Sequence, residues 1–160
     1  MKPKVYVETS VVSYLTAWPS RDVVTLGNQV ATREWWREAG SRFELVVSTL
    51  VIEESSVGDP EAARARLAAL ESVRVIDAGD DAIALGRVLV TAHAVPAEAA
   101  ADAAHAAIAA VNGVDYLVTW NMRHLANPVA AARIEQACRD AGHEPPVICT
   151  PSQLKEMEHE

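Results

Sequence analysis

Four places in this chain put oxygen-bearing side chains where a folded protein does chemistry. Lys4-Val5-Tyr6-Val7 reads as a short strand running onto Glu8, and Thr9 and Ser10 behind it are hydroxyl residues suited to a helix N-cap. Glu53 and Glu54 follow Ser48-Thr49-Leu50-Val51-Ile52, Asp102 lies inside the alanine-dominated stretch 97–110, and Thr119-Trp120-Asn121 closes another β-rich run. In open α/β sheets ligands bind outside the carboxyl ends of the strands, so Glu8 falls on the rim where substrates are met. Carboxyl and amide oxygens gathered on one rim suit a hard divalent cation such as Mg²⁺.

Each of these residues also has an inert reading. Glu8 can be a strand end meeting water, and for Glu53-Glu54 taken alone the solvated first turn of a helix is the preferred reading. Asp102 is the sharper signal, because its neighbours are mostly alanine and only Glu98 and His105 extend a polar face around it. His105 reads as a packed or hydrogen-bonded histidine, since no second histidine stands at metal-binding spacing. Trp120 and the Trp35-Trp36 pair read as core or interface packing. Arg21, Arg123 and His124 lie in loops or at element ends, either as solvated charges or within reach of phosphates.

What the chain lacks narrows the chemistry further. No G-x-G occurs, so the dinucleotide fingerprint is missing, and there is neither a G-K-[ST] phosphate loop nor a G-x-S-x-G elbow. The first strand ends in Glu where an aspartyl-phosphate enzyme would carry Asp. Metal-assisted hydrolysis is the chemistry that fits what remains.

The elements that must position these residues alternate. Short β-branched runs at Lys4–Glu8, Phe43–Ser48, Val73–Asp77, Asp115–Thr119 and Pro146–Cys149 predict strands. Between them, Asp22 caps a helix that Gly40 stops, and Asp59-Pro60-Glu61 opens one to about Ser72. Further helices run from Gly79 to about His93, over Ala97–Asn112 after the Pro96 break, and from Asn127-Pro128 to Gly142. The pattern is α/β with a mainly parallel sheet, and 160 residues suffice for one domain with a core. Net charge is −8, which argues against non-specific binding of nucleic acid over the whole surface. Cys138 and Cys149 read as buried hydrophobes, and no membrane span or signal peptide is evident, so the expected compartment is the cytoplasm.

Taken in order, Val5-Tyr6-Val7-Glu8-Thr9-Ser10, Val47 to Glu54 ending at Gly58, Ala101 to Ala110, and Tyr116 to Asn121 resemble the PIN domain family, nearest the VapC-like toxins of type II toxin–antitoxin pairs. The resemblance implies a three-layer PIN-like fold over residues 1–160, with a mainly parallel central sheet flanked by helices. It also implies a ribonuclease, a hydrolase whose clustered acids bind Mg²⁺ or Mn²⁺. Carried over, those positions fall on Glu8, Glu54, Asp102 and Asn121, with Ser10 and Thr119 as supporting hydroxyls; the spacing from Ser48 and to Gly58 selects Glu54 over Glu53. An RNA substrate, a cognate antitoxin and a homodimer are the implied partners. Two departures stand out: Glu8 replaces the usual Asp and moves the carboxylate about 1.5 Å outward, and Asn121 brings an oxygen without a charge. They leave open a catalytically weakened PIN-like module that binds metal or a partner, and behind it a small-molecule phosphohydrolase.

Overall fold

The computed structural model describes residues 1–157. Strands β1 (Lys4–Val7), β2 (Glu44–Ser48), β3 (Arg74–Ile76), β4 (Tyr116–Val118) and β5 (Val147–Cys149) form one wholly parallel sheet in the order β3-β2-β1-β4-β5. In β1, Val5, Tyr6 and Val7 are fully buried, which is why it reads as an uninterrupted β-branched and aromatic run without polar alternation. Tyr6 stands opposite Val46 of β2 and Leu117 of β4. From β1 the chain adds β2 and β3 on one side, then returns to lay β4 and β5 on the other. Right-handed crossovers in the two directions put helices on both faces and open a crevice beyond the ends of β1 and β4.

Eight α-helices flank the sheet among the described residues: α1 (Thr9–Thr16), α2 (Val23–Arg42), α3 (Thr49–Ser55), α4 (Pro60–Ala69), α5 (Gly79–Thr91), α6 (Ala100–Val111), α7 (Pro128–Asp140) and α8 (Pro151–Met157). The predicted caps hold. Asp22, Asp59 and Asn127 accept the backbone N–H of Thr25, Ala62 and Ala130 at 2.9, 2.9 and 2.8 Å, and Gly142 follows α7 with φ +84°.

Several boundaries differ from expectation. Gly40 does not stop α2, which continues to Arg42 and ends where Phe43 turns extended to enter the core beside β2. Glycine inside a helix costs only about 1 kcal/mol relative to alanine, so the burial of Trp35, Ala39 and Phe43 decides where α2 ends. α4 stops at Ala69 instead of Ser72, because the buried Leu70 turns the chain. The stretch 97–112 divides into a 3₁₀ turn, Ala97–Ala99, and α6, so Asp102 sits in the first turn of the α-helix proper. α6 packs closely on α5: a Cβ at Gly86 would lie 3.9 Å from both Ala104 Cα and Ala107 Cβ. Cys138 and Cys149 are buried free thiols, pushed by burial up to about 11 and about 12. No helix among the described residues is long and apolar enough to cross a membrane.

Candidate active site

Glu8 is the first residue past β1, held against the next strand by its N–H to Val118 O at 3.1 Å. It is itself the N-cap of α1, a position expected for Thr9 or Ser10. The longer glutamate side chain folds back, and its carboxylate accepts from Ser10 N (3.1 Å), Ser10 Oγ (2.5 Å) and Thr119 Oγ1 (2.6 Å). Negative charge is favoured at a helix N-terminus, so the substitution of Glu for Asp at this position is compatible with the local electrostatics. Ser10 and Thr119 also tie the β1 and β4 ends together, since Trp120 N donates to Ser10 Oγ at 2.8 Å and Asn121 N to Thr119 Oγ1 at 2.9 Å. An ionised carboxylate has about four acceptor positions; the hydroxyls and the backbone fill three and leave one for a ligand.

Glu53 and Glu54 stand in the last turn of α3, not in a first turn, because Ser48 caps that helix through Val51 N at 3.2 Å. Adjacent in sequence, they point about 100° apart around the helix. Glu53 is exposed; Glu54 is half-buried and turned to the sheet rim, with Oε1 accepting from Thr9 Oγ1 at 2.5 Å and paired with His105 Nε2 at 2.7 Å. Burial pushes the Glu54 carboxyl up, but the His105 hydrogen bond, the imidazole's charge when protonated and the Thr9 hydroxyl outweigh it and hold the group below its ordinary value. Both bonds fall on Oε1, so Oε2 is the oxygen presented to a cation. Glu53→Gln is expected to change stability by less than about 0.5 kcal/mol and to leave metal binding intact, whereas Glu54→Gln weakens Mg²⁺ binding; paired calorimetric titrations check this.

Behind Glu54 runs a buried relay that sequence reasoning did not find. Val51 N donates to Ser48 Oγ, Ser48 Oγ meets Tyr6 OH at 2.7 Å, and Tyr6 OH meets His105 Nδ1 at 2.7 Å. Burial first, then the charges of Glu8 and Glu54, push the Tyr6 phenol far above its ordinary value, so it keeps its proton. With the ring singly protonated, one arrangement satisfies every partner: Ser48 donates to Tyr6, Tyr6 to Nδ1, and Nε2 carries the proton toward Glu54. The ligand atoms of Glu8, Glu54 and His105 lie within 4.8 Å of one another, the spacing of a metal site. His105 nevertheless has both ring nitrogens engaged, so it orients Glu54 and offers no lone pair. The packed or hydrogen-bonded reading of His105 is thus the observed one. A tyrosine in a valine strand and a serine at the next strand's end were the available signals.

The third acid stands beside this group, outside the set whose ligand atoms lie within 4.8 Å of one another. Asp102 is half-buried on α6, and burial pushes its carboxyl up; a hydrogen bond from the Asn121 amide opposes this, the Glu8 charge adds to it, and His124 and His105 oppose it. Asn121 reaches the cluster from the β4 end, with Oδ1 accepting His124 N at 3.0 Å and its amide turned to Asp102. The structure therefore brings Glu8, Glu54, Asp102 and Asn121 to one rim, with Ser10 and Thr119 beneath them. Carboxylate oxygens from three elements, each with an acceptor position to spare, are the donor set that Mg²⁺ or Mn²⁺ takes, and the residues fit such an ion.

No protein-family model and no curated protein matches the sequence. Among solved structures the chain aligns with VapC20 of Mycobacterium tuberculosis, a sarcin–ricin loop cleaving toxin, with a TM-score of 0.57 over 80% of this chain and 94% of that one at 19% identity. The fold is PIN-like, of the VapC kind. VapBC2 from Rickettsia felis, solved bound to a DNA fragment from its promoter, aligns with a TM-score of 0.56 over 75% of this chain and 89% of that one, at 15% identity. At such identities the likeness is one of fold. In this PIN-like fold the crevice between β1 and β4 is where Glu8 and Asn121 lie.

Proposed function

We propose that this chain is a metal-dependent endoribonuclease of the toxin–antitoxin type, cutting RNA phosphodiester bonds at the Glu8–Glu54–Asp102 rim. The observation that carries the reading is the gathering of three acids, distant in sequence, at the topological switch of a PIN-like sheet, where burial and then Glu8's charge push Asp102 up. Glu8, Asp102 and Glu54 hold the cation, and Asn121 fixes Asp102 while offering the second lone pair of its oxygen. A bound Mg²⁺ or Mn²⁺ supplies an acidified water and offsets charge on the leaving oxygen. The chain's own residues do the positioning. Ser10 and Thr119 fix Glu8, Thr9 and His105 fix Glu54, and each hydrogen bond spares the reaction a reorganisation.

The test is incubation of the purified chain with a stem–loop RNA. Cleavage in Mg²⁺ or Mn²⁺, abolished by EDTA and restored by excess metal, is the expected result; no cleavage in either metal overturns the reading. A second reading, a module that binds a partner without turnover, draws on Asn121, whose neutral side chain already spends a lone pair on His124. Metal binding by calorimetry with RNA left intact selects it.

A cytoplasmic setting, an antitoxin partner and a homodimer belong to the same reading. Trp35 is buried and Trp36 half-buried against the core, so of the pair only Trp36 keeps surface to offer a partner. Among the exposed apolar residues, Trp18, Val23, Val24, Leu26 and Val30 fall close together in sequence around the start of α2.

A further inference from the structure

Beside the acidic rim lies a second feature, which the nuclease reading leaves unused. A groove of about 350 Å³ opens between the turn after α5 and the start of α7, lined by His93, Arg123, His124, Asn127 and Arg133 among others. In a chain of net charge −8 this is a concentration of cationic and N–H-donating side chains without a carboxylate in its lining. Several basic residues elsewhere have partners: Arg74, Arg139 and Lys155 form ion pairs, and Arg33 and Arg66 hold backbone carbonyls, whereas Arg21, Arg37, Arg64 and Arg87 are exposed without one among the described residues and scattered over the surface. Arg123 and Arg133 are exposed and have no side-chain partner among the described residues. His93 is held at φ +59°, and Pro96 gives the groove an apolar wall on which a base or ribose can lie.

The groove borders the site at His124. His124 lines it, while its backbone N–H caps Asn121 Oδ1 and its imidazole acts on Asp102. A strand entering the rim through this groove would leave its scissile phosphate at the acids and its flanking phosphates against the two guanidiniums, whose planar forks match phosphate oxygens.

We propose that the Arg123–Arg133 groove binds the phosphate backbone of single-stranded RNA flanking the cleavage point, and so sets the direction in which the strand crosses the acidic rim. The substrate class rests on the nuclease reading; the location of the binding surface does not. An acidic chain needs such a surface, because repulsion elsewhere leaves few places where a polyanion can settle.

The test is fluorescence anisotropy with an end-labelled single-stranded RNA, in EDTA so that no strand is cut. Arg123→Ala/Arg133→Ala should weaken binding about tenfold and lower the slope of log affinity against log salt by about 1.4, two contacts at about 0.7 each. Arg123→Lys/Arg133→Lys should keep the slope. Arg37→Ala/Arg64→Ala, which removes the same charge from α2 and α4, should change neither quantity by more than about twofold. Equal losses in the two alanine pairs, or none in the groove pair, overturn the proposal. So does a wild type that binds no RNA but binds poly-glutamate through Arg123 and Arg133, which gives the groove to an acidic protein. A chain that binds RNA through the groove yet never cuts it supports this inference while removing the nuclease reading.

Discussion

Asp102→Asn should abolish metal-dependent RNA cleavage and, in the absence of divalent metal, make the protein harder to unfold. The first half follows from charge. Asparagine keeps the size of the side chain and an oxygen to accept the Asn121 amide, but removes the anion that a cation at the rim would neutralise. Losing about 3 kcal/mol of such stabilisation corresponds to a rate loss above about a hundredfold. The second half follows from the direction of the Asp102 shift. Burial and the Glu8 charge raise its folded-state value above 3.8, so the ionised form costs stability in the fold. That penalty is absent below the unfolded value, appears as pH rises through the folded value and is complete above it. The stability difference between Asp102→Asn and wild type should therefore be small in acid and reach a plateau toward neutral pH. Mg²⁺ reverses the order, because an ion at a hundred times its Kd adds about 2.7 kcal/mol to the protein that binds it. Thermal unfolding across pH, with EDTA and with Mg²⁺, measures both halves. A variant that cleaves within threefold of wild type, or a wild type whose midpoint does not respond to Mg²⁺, removes Asp102 from the site.

The strand order is less local than the strands themselves, and the sequence supports the two to different degrees. Periodicity and caps located all five strands and the starts of α2, α4, α5 and α7, because Asp22, Asp59, Gly79 and Asn127 signal through neighbours within a few residues. That the sheet is wholly parallel follows from the alternation of strand and helix. Three short helices were not delimited: α1, α3 and α8. α1 carries β-branched Thr9, Val11 and Val12 in its first turn behind a glutamate cap, and helix propensity does not favour that. α8 carried a usable signal, since Thr150 and Gln153 form a reciprocal capping box (Thr150 N to Gln153 Oε1 at 2.9 Å, Gln153 N to Thr150 Oγ1 at 3.2 Å) with Pro151 at the first helical position.

The site divides in a similar way. Glu8 and Asp102 stood out by residue type against a small or apolar background, and family resemblance chose Glu54 over Glu53. The geometry gives that choice a cause: Glu53 points to water, while Glu54 is claimed by Thr9 and His105. The relay through Tyr6 and Ser48 joins residues 42 and 99 apart in sequence, and no local pattern encodes such pairs.

That relay sets the second large effect. Tyr6→Phe deletes one oxygen from a fully buried ring and leaves its shape, so no cavity of consequence forms. What it removes is the partner of two buried groups at once: Ser48 Oγ–H loses its acceptor and His105 Nδ1 loses its donor. Each such orphan costs about 1–3 kcal/mol, and domains of this size have about 5–15 kcal/mol in all, so the urea midpoint should fall sharply with the slope unchanged. The relay also predicts a spectroscopic state. In wild type, Nδ1 of His105 should show the nitrogen shift of an unprotonated acceptor and Nε2 that of an N–H donor; in Tyr6→Phe this preference should weaken, because the phenol no longer donates to Nδ1. Glu54 then loses its fixed donor, and Mg²⁺ binding should weaken about tenfold to a hundredfold, as it does when the outer partner of a metal ligand is removed. A wild-type His105 carrying its proton on Nδ1, or a Tyr6→Phe protein as stable as wild type, would contradict the donor order from Ser48 through Tyr6 to His105. Tyr6→Phe with reduced stability but unaltered metal affinity would keep the relay as a core fastener and detach it from the orientation of Glu54.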